Sequence, residues 1–452
     1  MMTFTSQILM LLLLLLSSII FNKGVSTCNE KDQRTLLIFK KGIIDHFGRL
    51  STWSSEEDCC AWKGVQCDNN TGRVTKLDLS PPYEEKTYNS LEGEINFVFL
   101  ELEFLNYVDL RENEFDMIRI QPIHYNVTYA SKLRYLDLSW NAYDIHIDNI
   151  HRVSELSSLK YLNLNGVDLH KETDWLQVFS MFPSLLELYL KDCNLNYISP
   201  SLKYITSLET LDLSLNNFNF ELPKGLFNLT KDISYLDFSS SKIHGELPLS
   251  LSNLVNLTYL DLSYNQLKGS IPSWIGQLGS IPRDWDNMKY LIDINLWSNR
   301  LAGEALIHLS NLKRLRVINL GKNQFSGMIP INLPQKLQVI ILRDNQFEGN
   351  IPAQVFNLSS LFHLDLAHNN LSGSIPQSVY NMTPMIIVGT QLQSFDASSY
   401  NGNRELCGAP LKKCIVEEDL TRTNPSMKNE DDDSLRESLY LGLGVGFAAG
   451  FW

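Results

Sequence analysis

Three stretches of the chain are written on one template: LTYLDLSYNQLKGSIP at 257–272, LQVIILRDNQFEGNIP at 337–352 and LFHLDLAHNNLSGSIP at 361–376. Apolar residues alternate through the LxL core, as on a short strand with one buried face. An asparagine follows, and then a Gly-x-Ile-Pro end. Proline bars helix continuation and restricts the residue before it, so this end favours a second extended segment. A unit of this size cannot bury its apolar face alone. It must stack on copies of itself into a solenoid.

The register recurs at Leu105, Leu133, Leu159, Leu185, Leu208, Ile233, Leu257, Leu291, Leu315, Leu337 and Leu361, after a divergent start at Val74, Leu77 and Leu79 with an insertion around 81–90. Intervals run from 22 to 28 residues, except for 34 between Leu257 and Leu291, where GSIP occurs twice. The added length is expected to bulge from the convex or lateral side. The pattern is a leucine-rich repeat, with about twelve copies over residues 74–384. The expected fold class is an α/β repeat solenoid: a curved superhelix with a parallel β-sheet on its concave face and disulfide-stapled caps. Asn113, Asn141, Asn216, Asn265, Asn299, Asn323, Asn345 and Asn369 are expected to bond the backbone of neighbouring coils, because buried amides must be satisfied. Val167, Cys193 and Ser241 replace the asparagine in three copies. Cys193 reads as a buried thiol rather than a reactive one.

The two ends read differently from the middle. Residues 1–26, with the apolar run ILMLLLLLLSSIIF, read as a signal peptide. Residues 27–73 read as an N-terminal cap, with Leu36, Leu37, Phe39, Ile43, Ile44 and Phe47 at helical spacing. Cys28, Cys59, Cys60 and Cys67 can lock that cap. Adjacent Cys59 and Cys60 are unsuited to bonding each other, and of three connectivities Cys28–Cys59 with Cys60–Cys67 comes first. Zinc on these cysteines is disfavoured, since no histidine stands at ligand spacing. Residues 385–414 form the other cap, stapled by Cys407 and Cys414.

Residues 415–437 are an acidic juxtamembrane linker. Residues 438–452 are apolar and glycine-spaced, and read as the first part of a transmembrane helix. Gly442, Gly446 and Gly450 set two GxxxG steps, a face on which a partner's helix can pack. Sequons at Asn69, Asn126, Asn228, Asn256, Asn357, Asn370 and Asn381 suit N-glycosylation of an extracellular chain.

A net charge of −13 without a basic block argues against nucleic acid as the partner. The chain is expected to have no enzymatic activity, catalytic residues, metal ligands or cofactors. GLGVGFAAG lacks the strand and following chain that a nucleotide loop requires. On the concave face Asp137, Asp212, Asp237, Asp261 and Asp365, with Tyr135, Tyr161, Tyr235 and Tyr259, recur from copy to copy. Recurrence favours a scaffold role. The residues that break the pattern are the ligand-binding candidates: Trp140, Tyr189, Lys191, Tyr264, Trp297, Arg316, Lys322, Arg343 and His368.

The motifs CNEKDQRTLLIFKKGIIDHFGRLSTW, DCCAWKGVQCDNNTGRVTKLDLS, VDLHKETDWLQVFSMFPSL and GTQLQSFDASSYNGNRELCGAPLKKC, with the acidic tail, resemble the plant leucine-rich-repeat receptor-like proteins, in particular the xylanase-elicitor-receptor group. The resemblance covers nearly the whole chain. It implies a kinase-less, single-pass plasma-membrane receptor that binds an extracellular protein or peptide ligand in defence or development and signals through a partner receptor kinase. Family members usually carry an irregular island and several more repeats before GTQLQSF; here Asn381 leads almost directly to Gly389. That departure implies a shortened form. The competing expectation is a protein secreted to the apoplast, either an inhibitor of cell-wall hydrolases or a soluble ligand-binding decoy.

Overall fold

The structure, a computed structural model, describes residues 27–82, 89–119, 132–142, 145–198, 207–222, 227, 232–272, 275, 288–378 and 396–414. Residues Met1–Lys412 form one compact unit and Lys413–Trp452 a second, of which 413 and 414 are described. The expected signal peptide, acidic linker and membrane helix lie outside the described residues. Among the described residues no helix is long and apolar enough to cross a membrane.

The cap opens with a helix over Glu30–Lys40, whose N-cap Asn29 side chain accepts from the Lys31 amide. Helical spacing through Phe47 overestimated its length. The helix stops before Gly42, and Ile43–Ile44 pairs antiparallel with Glu92–Gly93. Ile44 and Phe47 are exposed. The helix buries Leu36 and Phe39, the latter edge-on to Phe99 at 5.6 Å between ring centroids. Asp32 is buried beneath it, ion-paired to Arg73 at 3.0 Å and accepting from the Val74 amide at 2.9 Å, which welds the cap to the first coil. Disulfides join Cys28 to Cys59 and Cys60 to Cys67. At the other end Cys407 and Cys414 are each disulfide-bonded.

A 13-stranded sheet runs along the molecule. Its first strand, Val65–Cys67, pairs antiparallel with Val74–Asp78, and every later neighbour is parallel. Most strands are three residues long with the middle residue buried, as in Tyr135–Asp137, Tyr235–Asp237 and Tyr259–Asp261. The middle residues Leu136, Leu162, Leu188, Leu211, Leu236 and Leu260 stack in register into one continuous core. The Gly-x-Ile-Pro segments form further parallel strands, including Gln266–Ser270, Gln324–Met328, Gln346–Asn350 and Asn370–Ser374. Gly269 adopts φ +83°, a conformation that side chains rarely take.

The asparagine ladder forms. Asn265 donates to Phe238 O of the preceding coil at 2.8 Å and to Leu262 O at 3.0 Å, and accepts from the Ser241 and Ile243 amides. Where asparagine is replaced, Cys193 Sγ contacts Leu164 O at 3.1 Å and Ser241 Oγ donates to Leu213 O at 2.9 Å, keeping the same donor role. Cys193 is free and buried, and burial pushes its thiol well above the usual range. The long interval leaves the stack intact: Tyr259 still pairs with Asp293, and Asn299 donates to Leu262 O at 2.9 Å. The second GSIP, at 279–282, lies outside the described residues.

The repeat continues further than its sequence pattern. Within 396–414, Asn403 takes a rung of the ladder, donating to Leu366 O at 3.0 Å and accepting from the Leu371 amide, and Glu405–Cys407 pairs with Ser372–Ser374.

Candidate functional site

The concave wall is built in columns, one residue per coil. One column stacks tyrosines face to face: Tyr107 on Tyr135 at 4.2 Å, Tyr135 on Tyr161 at 4.1 Å, and Tyr235 on Tyr259 at 4.3 Å. Two positions on stands a column of aspartates. Each turns the chain out of its strand by accepting an amide two residues ahead: Ser139 on Asp137 at 3.0 Å, Ser239 on Asp237 at 2.8 Å, Ser263 on Asp261 at 2.8 Å. That local bond is why the residue recurs.

The register sets like charges side by side: Asp109 beside Asp137, and Asp212, Asp237 and Asp261 in a row. Burial, reinforced by the charge of Asp137, pushes the Asp109 carboxyl up to about 6. Burial, then repulsion from Asp261 and Asp212, holds Asp237 well above the usual carboxylate range. Burial also raises Asp212 and Asp261. Desolvation and the neighbouring carboxylates raise the tyrosines as well, Tyr107 to about 12.

The nine candidates divide by column. Trp140, Tyr264, Lys322 and His368 occupy the same position, the residue before the ladder asparagine, with φ of 54°, 52°, 49° and 55°. Each donates its amide to the next coil, at 2.8, 2.8, 2.9 and 2.7 Å. The backbone is therefore pinned while the side chain is left to vary. Trp140 and Tyr264 are 42% and 38% exposed, and His368 is exposed. Tyr189, Lys191 and Arg316 are half-buried in neighbouring columns. Tyr189 leans on Tyr161 at 5.4 Å and donates to Glu187 at 3.0 Å.

Two candidates are corrected. Trp297 is 2% exposed, because Gly321 in the next coil leaves room for its ring to lie flat along the wall. Lys322 covers that ring at 5.6 Å. Arg343 is 7% exposed, ion-paired to Asp365 at 2.8 Å and donating to Ser398 O at 3.1 Å. Both belong to the scaffold.

The remaining candidates are spread along the wall. Trp140 stands beside an open groove of about 430 Å³ whose other walls include Ser90 and two acids that sequence reasoning passed over, Glu112 and Glu114. His368 faces Asp344 at 3.9 Å. The described acceptor asparagines Asn69, Asn256, Asn357 and Asn370 are exposed. Asn126, Asn228 and Asn381, with Gly442, Gly446 and Gly450, lie outside the described residues. Cys28, Asp58, Cys59 and Cys60 cluster closely enough for a metal, but their sulfurs are engaged in disulfides.

The chain matches the leucine rich repeat N-terminal domain family over residues 29–68 and the Leucine Rich Repeat family over 207–229, 256–278 and 360–382. Receptor-like protein EIX1 of Solanum lycopersicum is 32% identical over 274 residues, covering 53% of this chain and 26% of that protein. Receptor-like protein EIX2 of the same plant is 31% identical over 335 residues, covering 67% and 32%. The chain thus spans about a third or less of the length of these relatives. The solved ectodomain of the Arabidopsis thaliana receptor kinase GASSHO1/SCHENGEN3 is 24% identical over 72% of this chain and 47% of that one, with a TM-score of 0.49. The matched cap and the matched repeats, set in one continuous ladder, make this a leucine-rich-repeat chain, and the curated relatives it is similar to are plant receptor-like proteins.

Proposed function

We propose that the chain is a cell-surface receptor that binds an extracellular protein or peptide on its concave wall and signals through a partner receptor kinase. The observation that carries this reading is the column of Trp140, Tyr264, Lys322 and His368. Its backbone is held identically from coil to coil while its side chains differ, which is how a uniform scaffold presents a specific surface. The receptor-like relatives support it. In this reading residues 1–26 direct secretion, the sequons carry glycans, and the apolar segment from 438 enters the plasma membrane, where Gly442, Gly446 and Gly450 pack on the kinase's helix.

The test uses the full chain expressed in plant cells. A carbonate wash of microsomes leaves it with the membrane; release to the supernatant replaces the receptor with the secreted inhibitor or decoy. Alanine at Trp140, Tyr264, Lys322 and His368 together abolishes binding of a labelled microbial xylanase or other secreted elicitor that the unaltered chain binds. Retained binding moves the contact surface elsewhere. Leucine at Gly442, Gly446 and Gly450 abolishes co-precipitation with the kinase, and unchanged recovery refutes that docking face.

A further inference from the structure

The lateral face carries a side-chain cluster that the receptor reading does not use. His151 lies in a 3-10 turn over Ile150–Glu155, on the coil of strand Tyr135–Asp137. Glu172 and Asp174 lead into the helix Trp175–Phe179, on the next coil. The turn packs against the helix. One ligating atom from each of the three side chains falls within 4.8 Å of the other two.

We propose that His151, Glu172 and Asp174 bind a divalent transition-metal cation of the zinc type, clamping the lateral segments of two consecutive coils.

Four observations carry this. First, Asp174 is the N-cap residue of its helix but makes no side-chain cap bond. Its carboxylate turns instead to His151 Nε2, at 3.3 Å. Aspartate at this position ordinarily accepts a helix amide from an extended backbone; here the backbone, at φ −110° and ψ 19°, departs from that conformation, and the carboxylate is directed at His151 instead. Second, Glu172 approaches although Asp174 carries the same charge, and among the described residues neither carboxylate pairs with a lysine or arginine. A cation would remove that repulsion.

Third, the spacing fits. Zinc ligands lie about 2.0–2.1 Å from the ion, so two ligands of a tetrahedral site are roughly 3.3 Å apart. The His151–Asp174 separation has that value, and Glu172 needs only a side-chain adjustment on the order of 1 Å to join them. Water takes the fourth position. Fourth, the neighbouring pair shows what a closed contact looks like. His170 meets Asp168 at 2.7 Å, and Asp168 also accepts from the His170 amide and from Asn194. That pair holds two ionisable groups; the His151 cluster holds three. One imidazole with two carboxylates favours a borderline cation such as zinc over calcium or magnesium, which prefer oxygen alone.

The test titrates Zn²⁺ into the chelator-treated full chain by calorimetry at neutral pH. Zinc binds saturably with a stoichiometry of one, raises the thermal midpoint, and resists displacement by a tenfold excess of Ca²⁺. His151→Ala and Glu172→Gln each weaken binding by about tenfold or more, with the fold checked by circular dichroism. His170→Ala leaves binding unchanged. Absence of saturable binding, wild-type affinity in either site variant, loss of affinity in His170→Ala, or displacement by calcium each overturns the assignment.

Discussion

Two rows of aspartates face the concave groove, one near the N-terminal cap and one in the middle of the stack. Asp78, Asp109 and Asp137 form the first, and Asp212, Asp237 and Asp261 the second. Both stand beside stacked tyrosines and both follow from the same strand template. They differ in their counter-charges. Lys76 lies 3.2 Å from Asp78, and Arg111 reaches Asp109 at 3.6 Å and Asp137 at 3.9 Å. Among the described residues no ion pair reaches the second row; Asn295 donates to Asp261 at 2.8 Å, and serine amides cap the rest. The template places the carboxylates, but each coil decides separately whether they are neutralised. In the second row burial raises all three carboxyls, and repulsion between neighbours raises Asp237 further, so its charge depends on pH.

The largest expected effect comes from a third case, the buried pair Arg343–Asp365. Arg343→Met removes the positive charge that faces buried Asp365 and costs about 3–5 kcal/mol, read as a fall in the urea midpoint at pH 7. An unchanged midpoint shows that a buried cation is dispensable on this wall, and the comparison loses its basis.

Asp237→Asn comes next. The folded state raises this carboxyl, so its contribution is whole below about pH 4 and is lost as pH rises through the folded value. The substitution keeps the acceptor for the Ser239 amide and removes the charge. It raises the melting temperature at pH 7 and flattens the decline in stability above about pH 4, as followed by melting across a pH series. A variant that melts lower at pH 7, with the decline unchanged, contradicts the role given to repulsion.

Arg111→Met turns the first row into a copy of the second. Arg111 is half exposed, and solvent screening limits the cost to about 1 kcal/mol at pH 7. The loss shrinks at pH 5, because Asp109, raised to about 6, then holds a proton. Equal losses at both pH values argue against this pairing. The smallest effect is at Lys76→Met, below about 0.5 kcal/mol and erased by 0.5 M salt, both measurable as differences in urea midpoint.

The repeat, its strand faces and its asparagine ladder were legible because each follows from spacing within one unit. What escaped lies between units. Trp297 and Arg343 break the pattern of their column, but their burial depends on Gly321 and Asp365 in the following coil. An aromatic next to a glycine one coil on, or an arginine next to an aspartate one coil on, is the signal that a within-unit reading misses. The same holds for His151 with Glu172 and Asp174, which look unrelated until the solenoid brings consecutive coils together. The helix overrun at Phe47 is a local error: apolar spacing continued past Gly42, but the chain there had turned to pair with Glu92–Gly93. The last rung, Asn403, was hidden because the leucine spacing around it had eroded while the hydrogen bonds persisted.

The bond from Asn299 to Leu262 O joins residues 37 apart, a span that among the described rungs only the one from Asn403 to Leu366 O equals. The strands on either side meet in the register found everywhere else. Length can therefore be gained or lost between strands while the inner wall keeps its alignment. Insertions and deletions, which in most folds would displace a surface built of paired strands, become here a source of variation that the inner wall does not feel. A lineage can lengthen, trim or decorate one side of each coil while substitution alone edits the other.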